Sequence, residues 1–205
     1  MSLSIYQLKT RFQALLRPSV TLLYKWGITA NQVTLLAALG SICLGALLFF
    51  NTYHPLIFLL LPIWMVLRMG LNAVDGMLAR EFGQASYLGA YLNELADVVS
   101  DAALYLPFAM LPGVHFELLL AIIFMSVLSE YAGVLGPMIG ATRRYDGPMG
   151  KSDRAFVFGC LGLAYALGLL SANILNLVML ITLCLLFVTL INRIRKGIDD
   201  ANTSL

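Results

Sequence analysis

Long apolar runs dominate this chain and leave it little choice of solvent. Six stretches approach the length of a bilayer crossing: Val33 to Phe50, Pro55 to Met77, Tyr87 to Leu111, Leu118 to Ile139, Ala155 to Leu170 and Ile174 to Ile191. A helical span needs roughly 20 mostly apolar residues. The fifth stretch is short and has to borrow flanking residues. Hydrophobic residues make up 60% of the 205 and charged residues only 12%, with a mean hydropathy of +0.86. Soluble domains carry about 25% charged residues and have no means of hiding this much apolar surface. The expected fold class is therefore an all-α membrane protein with six transmembrane helices.

The segment ahead of the first run is amphipathic, not continuously apolar, so it does not read as a cleavable signal peptide. Ser2 to Arg17 reads as a helix lying on the membrane surface, with Leu3, Leu8, Phe12, Leu15 and Leu16 toward lipid. Links between runs are short and no repeat stands out, so residues 1–205 are expected to form a single integral-membrane domain. Cys43, Cys160 and Cys184 are isolated, which excludes redox or metal-binding Cys pairs. The net charge of +2 says little about partners, and nothing suggests nucleic acid.

The distribution of Lys and Arg sets the orientation. Lys9, Arg11, Arg17 and Lys25 precede the first run, and Arg80 follows the second. Arg143, Arg144, Lys151 and Arg154 surround the fourth link, and Arg193, Arg195 and Lys196 follow the sixth run. The intervening turns, near Asn51 to His54, Pro112 to Glu117 and Ser171 to Asn173, hold none. Every basic residue except Arg68 thus falls on one side, which the positive-inside rule makes cytoplasmic. Both termini are then inside, as an even number of spans requires.

The most informative stretch runs from Asn72 to Asp101, NAVDGMLAREFGQASYLGAYLNELADVVSD. Asp75, Glu94, Asp97 and Asp101 sit in or beside apolar helices, where each acid at a span centre costs roughly 2.5–3.5 kcal/mol. Such a cost persists only with a partner, water access or a function. Asn93, Asp97 and Asp101 are four apart and share one helical face, and Glu94 lies on the same broad stripe. Asn72 and Asp75 are three apart on the preceding helix, on a face shared with the small residues Gly76 and Ala79. Two antiparallel helices would present oxygen ligands to each other. Hard oxygen donors without His or Cys suit Mg²⁺ or Mn²⁺. Mg²⁺ is usually completed by substrate phosphates, which points to phosphate-ester chemistry at the membrane surface. A bland reading competes: the acids pair with Arg68 and Arg80 and only pack helices. Two arginines do not neutralise four acids, which favours function.

Asp75-Gly76-x-x-Ala79-Arg80, then eight residues, then Gly89-x-x-x-Asn93-x-x-x-Asp97, resembles the signature of the CDP-alcohol phosphatidyltransferase family. That signature is D-x-x-D-G-x-x-A-R followed by G-x-x-x-D-x-x-x-D. Ile28 to Thr34 resembles the family's T-P-N-x-x-T segment before its first span, with Ala30 in place of Pro, and Gly150-Lys151 resembles its basic loop. Two positions depart: the family's first and third Asp are Asn72 and Asn93 here. Glu94, or Asp101 one turn beyond Asp97, stands ready to restore the lost charge.

The resemblance implies transfer of a phosphatidyl group from a CDP-linked lipid such as CDP-diacylglycerol to an alcohol, with release of CMP, in phospholipid biosynthesis. It implies a Mg²⁺ or Mn²⁺ cofactor held by Asp75 and Asp97 with Asn72, Asn93, Glu94 or Asp101. Asp97 matches the general base, with Asp101 in reserve. Gly76, Ala79, Arg80, Gly89 and Asn31 would meet the nucleotide and its phosphates. Lys151, Arg143, Arg144 and Arg154 are candidates for an anionic acceptor or the lipid phosphate, or serve only topology. The resemblance also implies a homodimer, and a multi-pass bacterial inner-membrane location with the active site on the cytoplasmic side. Competing readings are a catalytically weakened family member with a regulatory role, an intramembrane prenyltransferase, and a small cation transporter. The one-sided placement of the acids disfavours the transporter.

Overall fold

The structure is a computed structural model that describes residues 5–203, with side chains from Phe12 onward. Among these residues it is entirely helical. The α-helices are α1 (Ile5–Lys25), α2 (Ala30–Phe50), α3 (Leu60–Glu81), α4 (Tyr87–Tyr105), α5 (Phe116–Leu135), α6 (Lys151–Ala166) and α7 (Ala172–Thr203). Short 3-10 segments cover Pro55–Leu59, Leu106–Met110 and Gly136–Ile139. Each opens with Pro at or next to its first residue. Proline cannot donate the helical hydrogen bond, so the ends of three apolar runs tighten into 3-10 turns. Thr29 and Gln32 start α2 with a reciprocal capping box: the Thr29 amide donates to Gln32 Oε1 at 2.9 Å and the Gln32 amide to Thr29 Oγ1 at 3.3 Å.

Four segments are long and apolar enough to cross a membrane: Ala30–Phe50, Pro55–Glu81, Phe116–Ile139 and Ala172–Thr203. The other two expected spans form helices of a different character. Glu94, Asp97 and Asp101 interrupt the apolar surface of α4, and α6 has only 16 residues. The expected surface helix ending at Arg17 is instead part of α1, which continues through Pro18 to Lys25. Leu3, and the side chain of Leu8, lie outside the described residues. Leu15 is exposed, whereas Leu16 packs against a buried cluster. The last helix runs past Ile191 to Thr203 and carries the basic tail with it.

The chain packs as two compact units, Met1–Ser41 with Val66–Ser100, and Ile42–Met65 with Asp101–Leu205. The first unit has a small core of Val20, Ala30, Val33, Val74, Met77 and Leu78. The second has a larger core that includes Leu48, Phe58, Tyr105, Phe108, Phe158 and Met179. There Tyr105 and Phe158 stack at 3.8 Å between centroids, and Phe58 meets Phe108 edge-on at 5.6 Å. Gly162 permits this density, since a Cβ there would come within 2.9 Å of Leu61. Large apolar side chains such as Leu36, Ile63, Phe124 and Leu177 stay exposed in both units, as helix faces covered by lipid do.

Candidate functional site

In the first unit the polar stripes of α3 and α4 face each other. Arg68, Asn72 and Asp75 lie four and three residues apart, one above another on α3. Asn93 and Asp97 stack likewise on α4, with Glu94 beside them. The stripes touch at Asp97. Arg68 Nη2 donates to the Asp97 main-chain oxygen at 3.1 Å and to its Oδ1 at 3.3 Å. Asn72 Nδ2 donates to the same Oδ1 at 3.5 Å. Arg68 is 3% exposed and Asp75 6%, so both sit in a low-dielectric setting. Asp97, Asn93, Glu94 and Asn72 are half-buried.

The start of α2 supplies a third wall. Thr34 Oγ1 donates to Asp75 Oδ2 at 2.8 Å and also lies 3.1 Å from the Ala30 carbonyl oxygen. Gln84 Oε1 accepts from the Ala30 amide at 2.7 Å, tying the loop after α3 to the head of α2. Gly89 lets Asn31 approach α4: a Cβ there would stand 2.7 Å from Asn31 Oδ1. Gly76 makes room for Arg80 in the same way, with its virtual Cβ 2.7 Å from Arg80 Nη2. Ala79 is half-buried on the same helix. Gly76 and Gly89 therefore leave room for the side chains of Arg80 and Asn31. Thr34 and Gln84 were not among the candidate site residues. Thr34 closes the T-P-N-x-x-T-like segment at the head of α2; Gln84 carries no comparable signal.

The remaining candidates belong to the second unit. Asp101 is 3% exposed and Arg154 1%. Arg154 Nη2 donates to Asp101 Oδ2 and to Glu130 Oε1, both at 3.0 Å. Arg193 approaches Glu130 Oε2 at 3.2 Å and donates to the Ser129 carbonyl oxygen. Two acids thus meet two arginines in a closed network linking α4, α5, α6 and α7. In the following loop Arg144 bonds Asp146 at 2.9 Å and Asp200 at 3.2 Å, and Lys196 bonds Asp146 at 3.0 Å. Desolvation works against the Asp146 carboxylate, but hydrogen bonds from Lys196 and Arg144 outweigh it and hold its pKa below the usual value. Arg143 lies 4.8 Å over the Tyr145 ring. Lys151 is the half-buried first residue of α6.

The first-unit set consists of oxygen donors from carboxylates and amides. Among the described residues no three His, Cys, Asp or Glu side chains gather tightly enough to hold a metal alone. The set fits a hard divalent cation whose shell is completed by amide and phosphate oxygens.

Comparison with known proteins agrees with the motif. The chain matches the family model of CDP-alcohol phosphatidyltransferase over residues 27–191. It is 48% identical to the inner membrane protein YnbA of Escherichia coli (strain K12) over 194 residues, 95% of this chain and 96% of that protein. It is 34% identical to a phosphatidylinositol phosphate synthase of Streptomyces avermitilis over 99 residues, 48% of this chain and 39% of that protein. A solved structure of similar fold is the phosphatidylinositol phosphate synthase PgsA1 of Mycobacterium tuberculosis, in complex with manganese and citrate. It aligns with a TM-score of 0.71 at 20% identity, covering 88% of this chain and 87% of that one.

Proposed function

The chain belongs to the CDP-alcohol phosphatidyltransferase family, and from that premise we propose that its first-unit cluster is the catalytic centre. It is a membrane transferase of phospholipid biosynthesis that moves a phosphatidyl group from a CDP-linked lipid to an alcohol. The single observation that carries the assignment of the site is the convergence of Arg68, Asn72 and Asp97 across α3 and α4.

In the reaction the acceptor hydroxyl oxygen bonds to the lipid-bearing phosphorus. The bond from that phosphorus to the oxygen of the CMP phosphate breaks, and CMP leaves. The hydroxyl proton goes to Asp97, whose rotamer Arg68 and Asn72 fix. A bound Mg²⁺ or Mn²⁺ would supply charge neutralisation on the diphosphate. Asp75 would lead the residues holding it, with Asn72, Asn93, Glu94 and Asp97 as further oxygen donors. Thr34 orients the Asp75 carboxylate. Asn31, Gly76, Ala79, Arg80 and Gly89 shape the side where the nucleotide phosphates bind. We assign Asp101 and Arg154 to the second-unit network and not to proton or phosphate handling, because each is already the other's buried partner. Arg144 is likewise engaged in its loop. Lys151, the first residue of α6, and Arg143 are the basic residues we assign to an anionic group.

The same reading makes the chain one six-span domain in a bacterial inner membrane, working as a homodimer. α4 and α6 complete the spans, since an even number keeps the basic segments on one side. Pairing of Asp97 with Arg68 and of Asp101 with Arg154 lowers the cost of inserting α4. The site then opens to the cytoplasm. The inner-membrane relative supports the membrane location.

The test is a CMP-release assay on detergent-purified protein with Mg²⁺ or Mn²⁺, CDP-diacylglycerol and pooled alcohols, followed by mass spectrometry of the lipid product. Wild type should release CMP, and Asp97→Ala should lower the rate by about 10²–10⁴-fold. No release with any acceptor would overturn the catalytic reading. Asn72 and Asn93 favour a second reading, a weakened enzyme with a regulatory role. Activity that emerges only in Asn72→Asp/Asn93→Asp would support it.

A further inference from the structure

The loop between α3 and α4 joins the two halves of the motif, and Gln84 in that loop reaches across to α2. We infer that Gln84 is a positioning residue of the centre: by holding the first amide of α2 it sets Asn31 and Thr34 against the metal and nucleotide side of the site. This rests on the catalytic reading above.

Ala30 is the first residue of α2, so its N–H has no partner within its own helix. The capping box satisfies the amides of Thr29 and Gln32 but not this one. Ala30 is also 6% exposed, which keeps water away, and a buried N–H left alone is costly. Gln84 Oε1 takes it, at 2.7 Å and across 54 residues of chain. Gln84 is itself held in place. Gly83, at φ +67°, turns the chain out of α3, and the Gln84 amide reaches back to the Leu78 carbonyl oxygen at 3.4 Å. Phe82 just before it meets the Tyr24 ring at 4.6 Å between centroids. The bond therefore joins two anchored ends, not a loose loop to a helix.

What this latch fixes lies within one helical turn. Thr34 holds Asp75, and its hydroxyl lies 3.1 Å from the Ala30 carbonyl oxygen. A shift of Ala30 thus moves the group that orients Asp75. Asn31 is the next residue, and its Oδ1 stands 2.7 Å from where a Cβ on Gly89 would be. The head of α2 so meets α3 at Asp75, α4 at Gly89 and their connecting loop at Gln84. Asp97 is held separately, by Arg68 and Asn72. Loss of the latch should therefore disturb metal and CDP-lipid binding and spare proton transfer.

The test uses detergent-purified protein, with Mn²⁺ affinity from electron paramagnetic resonance and KM and kcat from CMP release at varied CDP-diacylglycerol. Gln84→Ala should weaken Mn²⁺ binding and raise KM, each about three- to tenfold, with kcat within about twofold. Gln84→Glu keeps an acceptor oxygen and should bring both to within about twofold of wild type. Ala30→Pro removes the donor at a helix position that suits proline. Adding Gln84→Ala to Ala30→Pro should then change neither quantity by more than about twofold, whereas independent effects would multiply. A merely structural contact would lower the melting temperature of Gln84→Ala and leave Mn²⁺ affinity and KM where they were; that result overturns the inference. So does a Gln84→Ala effect that persists at full size on Ala30→Pro, or a fall in kcat at unchanged KM. If Gln84→Ala does not fold, Gln84→Met, which keeps the length and loses the oxygen, is read in its place. Weaker Mn²⁺ binding in Gln84→Ala, absent on Ala30→Pro, in a protein that releases no CMP would defeat the catalytic reading and leave the latch standing. Normal CMP release with Mn²⁺ affinity and KM unmoved does the reverse.

Discussion

Each unit buries arginine against acids, but in different company. In the second, Arg154 and Arg193 face Asp101 and Glu130 one for one, and main-chain oxygens of Met149 and Ser129 take further N–H groups. Nothing there is short of charge. In the first, Arg68 holds Asp97, Thr34 holds Asp75, and amides stand at Asn72 and Asn93. A balanced buried network holds helices together. One that mixes carboxylates with amides presents the hard oxygen donors that a divalent cation takes.

The comparison can be broken most easily at Arg154. Arg154→Ala leaves Asp101 without its buried partner and strips Glu130 of one, which should cost about 3–5 kcal/mol. The expected outcome is a large loss of monodisperse protein on size exclusion and a lowered melting temperature. A well-folded variant with normal activity would mean that the second-unit network is not structural.

A smaller effect is expected at Thr34. Thr34→Val removes the hydroxyl that holds Asp75 Oδ2 and keeps the shape. Loss of one hydrogen bond to a charged group is worth about 1.5–3 kcal/mol. The protein should remain folded, with Mn²⁺ affinity and CMP release both reduced, measured by titration and by assay. If melting temperature falls instead and metal affinity does not, Asp75 belongs with packing and the contrast between the units weakens.

The smallest effect concerns the loop of the second unit. Asp146 has a folded pKa below its unfolded one, so its contribution is present above the unfolded value and is lost as pH falls through the folded value. Amide exchange across residues 140–150 should be slow at pH 7 and, after correction for intrinsic rates, lose protection below about pH 4. Asp146→Asn should reduce this pH dependence to the part that Asp200 holds through Thr142 and Arg144, without altering CMP release at neutral pH.

Much of this architecture was legible beforehand. Run length and composition marked α2, α3, α5 and α7 as helices able to cross a membrane, because hydropathy is summed locally along one helix. The four-residue spacing of Asn93 and Asp97 put both on one stripe, because helical pitch alone decides it. The boundaries were less legible. Pro107 and Pro137 end their α-helices earlier than the apolar runs suggest. Gln84 carried no signal, since its role is to meet an amide 54 residues away.

Composition by itself determined a helical membrane-type chain, spacing put polar residues of α3 and α4 on one face of each helix, and the resemblance of that segment pointed to the family. Tertiary structure alone decided which acid meets which cation. Arg68 was a candidate partner for any nearby acid, and it chose Asp97 on the next helix. Asp101 stacks one turn beyond Asp97, yet its partner is Arg154, 53 residues away. Spacing fixes neighbours within a helix, but a buried charge is stabilised only by groups a few ångströms off, and helix rotation and packing bring those groups there.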